Sequence, residues 1–152
     1  MDATPEPMPL EGRFAGREHL FRLRVYFEDT DLSGVVYHAN YLRYMERARS
    51  AMLRSAGIDQ RAAHEGGEGV YVVRDIGLRY LAPARLDDTL TVVSRLIQLR
   101  AASVVIHQRV MRDTAVLTDA TVEAAFVAPS GRPRRQPAGW TDIFERLIWQ
   151  GD

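Results

Sequence analysis

Asp31, Gly34 and His38 stand within one short stretch, Asp31-Leu32-Ser33-Gly34-Val35-Val36-Tyr37-His38, and together these residue types can do acyl-transfer chemistry. An ionised carboxylate can attack a carbonyl carbon or take a proton from water, and a histidine can move a proton near neutral pH. The flanks give them a shared place. Upstream, Phe21, Leu23, Val25 and Phe27 alternate with Arg22, Arg24 and Tyr26, the period of a half-buried strand over 21–27. Downstream, Tyr41, Met45, Ala48, Met52 and Ala56 recur at helical spacing, which predicts a helix over 41–56 with Gly57 as its stop. The stretch is thus a strand-to-helix junction. The first N–H groups of a helix have no intrahelical acceptor and lie at the positive end of its dipole. A thioester or ester carbonyl placed there would be polarised, and the oxyanion formed on attack would be stabilised further. Asp31, with an unperturbed pKa of ~3.9, would be ionised at neutral pH for either role. The same spacing also suits an Asx turn before a helix, with His38 as a helix-start residue and Asn40 as a cap. Residue types alone define an α+β domain with an anion or carbonyl site.

The rest of the chain must hold that junction in place. At 152 residues, 46% hydrophobic and 26% charged, the chain has enough apolar material for one domain with its own core. Basic and acidic residues both number 20, so no net field draws the chain toward nucleic acid or an anionic membrane. The positive charge is carried by arginine, which suits bidentate contact with phosphate or carboxylate. The absence of cysteine excludes disulfides, thiolate catalysis and thiolate metal sites. No basic start leads into an apolar run, and no run approaches the ~20 apolar residues of a membrane span, so a cytoplasmic location is expected.

Residues 1–17, with Pro5, Pro7, Pro9, Gly12 and Gly16, read as a poorly ordered leader, and 18–152 as a single domain. After the long helix come a short helical piece over 59–65 and a break at Gly66, Gly67 and Gly69. Strands are predicted over 70–81, 89–99, 104–111 and 116–127. The short connections between them predict successive hairpins, hence an antiparallel meander. A closing helix over 140–150 has Thr141 near its start. Five antiparallel strands around one helix leave edges open, which predicts pairing between copies.

Arg24-Val25, Thr30-Asp31, Gly34-Val35-Val36-Tyr37 and Asn40-Tyr41, at these intervals, resemble the signature of the 4-hydroxybenzoyl-CoA thioesterase family of hotdog-fold proteins. His38 and the continuation Tyr44-Met45-Glu46-Arg47-Ala48-Arg49 are similar to its Tol-Pal-associated acyl-CoA thioesterases, the YbgC-like branch. The likeness covers roughly 20–129, including 79–88 and 100–104. It implies an α+β hotdog fold, a five-stranded antiparallel sheet wrapped around a central helix, assembled as a homodimer or homotetramer. It implies hydrolysis of an acyl-CoA thioester to free acid and CoA, without metal or cofactor. The essential carboxylate falls on Asp31, as nucleophile or general base, with Gly34 at the turn and the backbone N–H groups of Tyr37 and His38 holding the carbonyl. The His38 imidazole is a candidate to orient water, protonate the leaving thiolate or touch the acyl group.

By the same likeness, substrate contacts fall on Asn40 and, in a phosphate-binding hairpin, on Arg100 and Ser103. Ala101 and Ala102 stand there where basic or polar residues would be expected, and Arg132, Arg134 and Arg135 are alternative sources of charge. Glu46 is a second carboxylate to weigh, because another hotdog branch takes its essential acid from the central helix. Two other classes stay open. One is a binding or scaffold module for an acyl carrier protein or a Tol-Pal partner, with incidental hydrolysis; the other is a hotdog hydratase or dehydratase.

Overall fold

A sixteen-residue helix, α1 (Asn40–Ser55), lies across one face of a single antiparallel sheet. The computed structural model describes residues 12–151. The strands are β1 (Arg13–Ala15), β2 (Glu18–Arg24), β3 (Val70–Tyr80), β4 (Thr89–Leu99), β5 (Ser103–Arg112) and β6 (Ala115–Val127). Two shorter helices, α2 (Gln60–Glu65) and α3 (Ala138–Leu147), follow α1 and β6. Five strands are long and β1 is a three-residue addition to one edge. This is the α+β hotdog arrangement that the sequence predicts.

Two expectations are corrected. The leader expected over 1–17 lies mostly outside the described residues; within them, Arg13–Ala15 pairs with β2 as a hairpin turned at Gly16, whose φ is +63°. The first strand ends at Arg24 instead of Phe27. Val25 turns aside to exchange backbone hydrogen bonds with Asp87 and Asp88, and Phe27–Asp29 closes a 3-10 turn that leaves the Phe27 ring 80% exposed. The four later strands are not a simple meander: the sheet order is β1-β2-β4-β5-β6-β3, so β3 pairs with β6 and β4 with β2 and β5. The connection after β3 is no tight turn, because it is pulled under the start of α1. Ala84 is buried, its N–H donates to the Tyr41 hydroxyl at 3.0 Å, and its carbonyl accepts from Val36 N–H at 2.8 Å.

The apolar stripe of α1 does what its spacing predicts. Tyr41, Tyr44, Met45, Ala48 and Met52 are buried against β2, β4 and β5. Burying each of the larger side chains contributes about 1.5–3 kcal/mol. Gly57, at φ +88°, ends the helix, with Gly57 N–H donating to Arg54 O and Ile58 N–H to Leu53 O. This is a Schellman stop whose apolar clasp is Leu53 against Ile58. Gln108 brings a polar side chain into the core beneath α1: its amide donates to Met45 O and to Ser94 Oγ, both at 3.0 Å. Beyond β6 the chain folds back, and α3 buries Phe144 against the far end of α1. No helix among the described residues is long and apolar enough to cross a membrane.

Candidate active site

The junction from β2 to α1 is held from the inside by Asp29. This carboxylate is buried, accepts from Tyr26 N–H at 2.9 Å through Oδ2, and accepts from the Asn40 side-chain amide at 2.8 Å through Oδ1. Tyr44 is fully buried nearby, and burial pushes its phenol well above the ordinary range, so it stays neutral. Asn40 is therefore neither a cap nor open to substrate. It is the first residue of α1, and its side chain ties the helix start to the 3-10 turn. Asp29 is the residue sequence reasoning missed. Its type is the same as that of Asp31, and only the direction of the turn separates the two.

Asp31 lies two positions on and faces outward. Its Oδ1 accepts from Ser33 N–H at 2.8 Å and from the Ser33 hydroxyl at 2.5 Å. The chain reverses at once: Asp31 N–H donates to Val35 O, Gly34 N–H donates to Asp31 O, and Gly34 takes φ +83°, a conformation that favours glycine. The Ser33 hydroxyl, then its N–H, hold the Asp31 carboxyl below its ordinary value, with a smaller contribution from the charge of His38. Asp31 is thus a solvent-facing carboxylate, ionised throughout the neutral range.

The backbone at the start of α1 divides the two predicted donors. Tyr37 N–H donates to Asp29 O at 2.8 Å, so it is spent inside the junction and cannot hold a carbonyl. Among the described residues nothing accepts from the His38 N–H, which stands just ahead of the helix. The His38 carbonyl accepts from the Tyr80 hydroxyl at 2.7 Å, which fixes this peptide against the end of β3. The His38 ring lies against Tyr37, with centroids 4.4 Å apart, and makes no hydrogen bond to Asp31.

The other predicted residues lie elsewhere. Arg100 and Ser103 sit at the β4–β5 hairpin, a strand length, roughly 33 Å, from the junction. Ser103 is buried. The carbonyls of Arg100 and Ser103 accept from the Gln136 side-chain amide at 2.8 and 3.2 Å, Ala101 O accepts from Gln136 N–H, and Ala102 O from Phe126 N–H. The Arg100 guanidinium reaches Glu123 at 3.4 Å and Gln98 at 3.2 Å. Arg134 donates to Gly67 O and Glu68 O, while Arg132 and Arg135 are exposed. Glu46 lies on the flank of α1, roughly 10 Å along the axis from its start.

An antiparallel sheet against one long helix is the architecture of a hotdog domain, and at the helix start a solvent-facing carboxylate stands near an N–H that nothing accepts from among the described residues. A family model described as the thioesterase superfamily matches residues 33–118, and the chain belongs to that superfamily. It is similar to the acyl-CoA thioester hydrolase YbgC of Escherichia coli O6:H1, 42% identical over 131 residues, which covers 84% of this chain and 97% of that one. A solved probable thioesterase from Bartonella henselae superposes with a TM-score of 0.76 at 39% identity, over 79% of this chain and 99% of that chain. The fold is also that of 4-hydroxybenzoyl-CoA thioesterase from Pseudomonas sp. strain CBS-3, with a TM-score of 0.78 at 23% identity over 84% and 99% of the two chains.

Proposed function

We propose that this protein hydrolyses acyl-CoA thioesters to the free acid and CoA, with Asp31 as the catalytic carboxylate and the His38 N–H as the carbonyl donor. The observation that carries the reading is the pairing of an ionised, outward-facing carboxylate with an unclaimed N–H at the start of α1. In the general-base form, Asp31 takes a proton from water as the water oxygen bonds to the thioester carbon. The carbonyl electrons move onto oxygen, where the His38 N–H and the helix dipole stabilise them. Collapse re-forms the carbonyl, breaks the carbon–sulfur bond and releases the CoA thiolate. In the nucleophilic form, Asp31 Oδ bonds to the carbon, the carbon–sulfur bond breaks to release the CoA thiolate, and water then hydrolyses the mixed anhydride to the free acid and the Asp31 carboxylate.

The working unit in this reading is a dimer paired along β3. That strand is a free edge, and its Val72, Val73 and Ile76 are exposed, with Val73 at 51%. Antiparallel pairing of two such edges lays the Val70 end of one copy beside the Tyr80 end of the other. The hairpin carrying Arg100 lies at the Val70 end, since Val70 pairs with Val127 and Ser103 with Ala125. The partner would thus supply the hairpin that a single protomer keeps far from its own Asp31.

Asp31→Asn, measured at saturating acyl-CoA with chain length varied, is expected to lose roughly 10²–10⁴ in turnover while keeping its mass and thermal midpoint. Turnover near that of wild type would sink the assignment. A second reading draws on Tyr26, Phe27 and Leu32, apolar side chains exposed beside Asp31, with Leu32 at 109%. These suit docking of a carrier protein or another partner, the Tol-Pal link among them. Carrier binding that survives in Asp31→Asn, with no hydrolysis in wild type, would favour it.

A further inference from the structure

The flank of α1 that faces the open β3 edge holds a guanidinium with no direct ion pair among the described residues. Arg49 is partly buried, and its Nη1 donates to Gln108 Oε1 at 2.9 Å. The Gln108 amide nitrogen is already committed to Met45 O and Ser94 Oγ, so its oxygen is fixed toward Arg49. Among the described residues no carboxylate lies within ion-pairing distance of that guanidinium. Burial pulls the Arg49 pKa below the ordinary arginine value, and Glu46 pulls it partly back. A cation drawn partly out of water is normally paired, so one neutral acceptor is an incomplete environment. Arg49 also lines a groove of about 260 Å³ between α1 and β3, with Glu46, Ser50, Leu53, Tyr71 and Val73 among its walls.

The geometry of the flank says what completes it. Helix α1 packs over β2, β4 and β5 and stands off from β3, whose Val73 and Ile76 remain exposed. The helix runs antiparallel to β3: the Tyr41 ring meets Tyr80 at 5.6 Å, and Leu53 shares the groove with Tyr71. The middle of β3 therefore lies level with Arg47, halfway between Tyr41 and Leu53. Glu46 and Arg49 sit on the same flank to either side of that level, about 4.5 Å apart along the axis. A two-fold axis through the middle of β3 reverses the helix direction and brings each Glu46 to the height of the other copy's Arg49.

We propose that Arg49 is closed by Glu46 of the partner subunit, and Glu46 by the partner's Arg49, so that two identical ion pairs fix the register of the dimer. This rests on the edge pairing of β3 proposed above and names the charges that select it. Opposite charges meet in this register, whereas sliding one copy along the edge would leave both guanidinium groups unpaired.

The test uses full-length Glu46→Arg and Arg49→Glu, each checked for folding by circular dichroism and measured by sedimentation velocity alone and in equal mixture. Each variant alone places like charges at both junctions and is expected to self-associate at least a hundredfold more weakly than wild type. The mixture places opposite charges at both junctions and is expected to associate within tenfold of wild type. A variant that dimerises as tightly as wild type, or a mixture no tighter than its components, would overturn the proposal. Should Arg49→Glu fail to fold, Glu46→Gln decides. Its side chain is exposed, so folding is not at risk, and it should weaken association about tenfold; unchanged association overturns the proposal. A monomeric wild type would remove the edge pairing as well and leave the groove to a ligand, whereas a dimer indifferent to these charges removes only this inference. Neither result bears on Asp31, which is tested by hydrolysis.

Discussion

The two ends of the sheet are built to opposite specifications. At the junction end, Asp31 faces solvent as an ionised carboxylate and the His38 N–H has no acceptor among the described residues. At the hairpin end, every carbonyl from Arg100 to Ser103 is taken, two of them by the single Gln136 side chain. Gln136 is itself buried, and its Oε1 accepts from the Tyr71 hydroxyl. One end leaves polar groups available and the other satisfies them internally. The first is where chemistry can happen, and the second is where the fold is locked. The difference can be broken by substitutions that ought to affect activity at one end and stability at the other.

The largest effect is expected from Asp31→Asn, the loss of roughly 10²–10⁴ in turnover argued above, with no change in thermal midpoint. Because Asp31 is exposed and bonded only to Ser33 and its own turn, an amide there should leave the fold untouched. Gln136→Ala is the counterpart. It strands the Tyr71 hydroxyl and the Arg100 carbonyl in part-buried surroundings, while Ser103 O keeps the Arg100 N–H, at a cost of about 1–3 kcal/mol for groups left unsatisfied. For a chain of this size that lowers the midpoint of thermal unfolding by roughly 3–10 °C. Turnover at 25 °C should stay within about twofold, read by the same assay. A Gln136→Ala protein with normal stability and lost activity would invert the comparison.

Much of this was legible in the sequence, and what was not has definite causes. The length of α1 and the bounds of β4 to β6 follow from periodicity, because one face of each meets the core and the other does not. Strand pairing did not follow. The Ala82-Pro83-Ala84 sequence looks like a hairpin turn, yet Ala84 is drawn under α1 by Tyr41 and Val36, contacts far away in sequence. The first strand read too long because Phe27 continues the alternation while its backbone turns into a 3-10 coil. At the site, the turn at Gly34 and the exposure of Asp31 fit the residue pattern. The division of labour between Asp29 and Asp31 was hidden, since two carboxylates two positions apart differ only in which way the turn sends them. The same is true of the two carbonyl donors: Tyr37 N–H is consumed by Asp29 O, an acceptor that no local pattern announces.

Arg100→Ala sharpens the comparison at intermediate size. Within one protomer its guanidinium makes only exposed contacts with Glu123 and Gln98, worth about 0–1 kcal/mol, so stability should hardly change. If a partner's hairpin completes the site, the substitution should raise KM for acyl-CoA about three- to tenfold with turnover unchanged, because phosphate contact is uniform binding energy. An unchanged KM would confine the hairpin end to a structural part.

The smallest effect concerns acid. Ser33 holds the Asp31 carboxyl below its ordinary value of 3.8 by stabilising the charged form. A group whose pKa is depressed in the folded state favours folding above its unfolded pKa, and that contribution is lost as pH falls through the folded value. Activity that needs the carboxylate follows the same limb: it should be flat through neutrality and fall only below the ordinary carboxylate range. Ser33→Ala removes the hydroxyl and keeps the backbone N–H, so the limb should move upward toward the ordinary value without reaching it. The free carboxylate would be a slightly stronger base, so turnover at neutral pH should hold or rise slightly. The limb is read from kcat/KM against pH on a substrate with no titratable acyl group, so that only the enzyme titrates. A limb that stays in place in Ser33→Ala while Asp31→Asn abolishes turnover would mean the serine contact is lost when substrate binds.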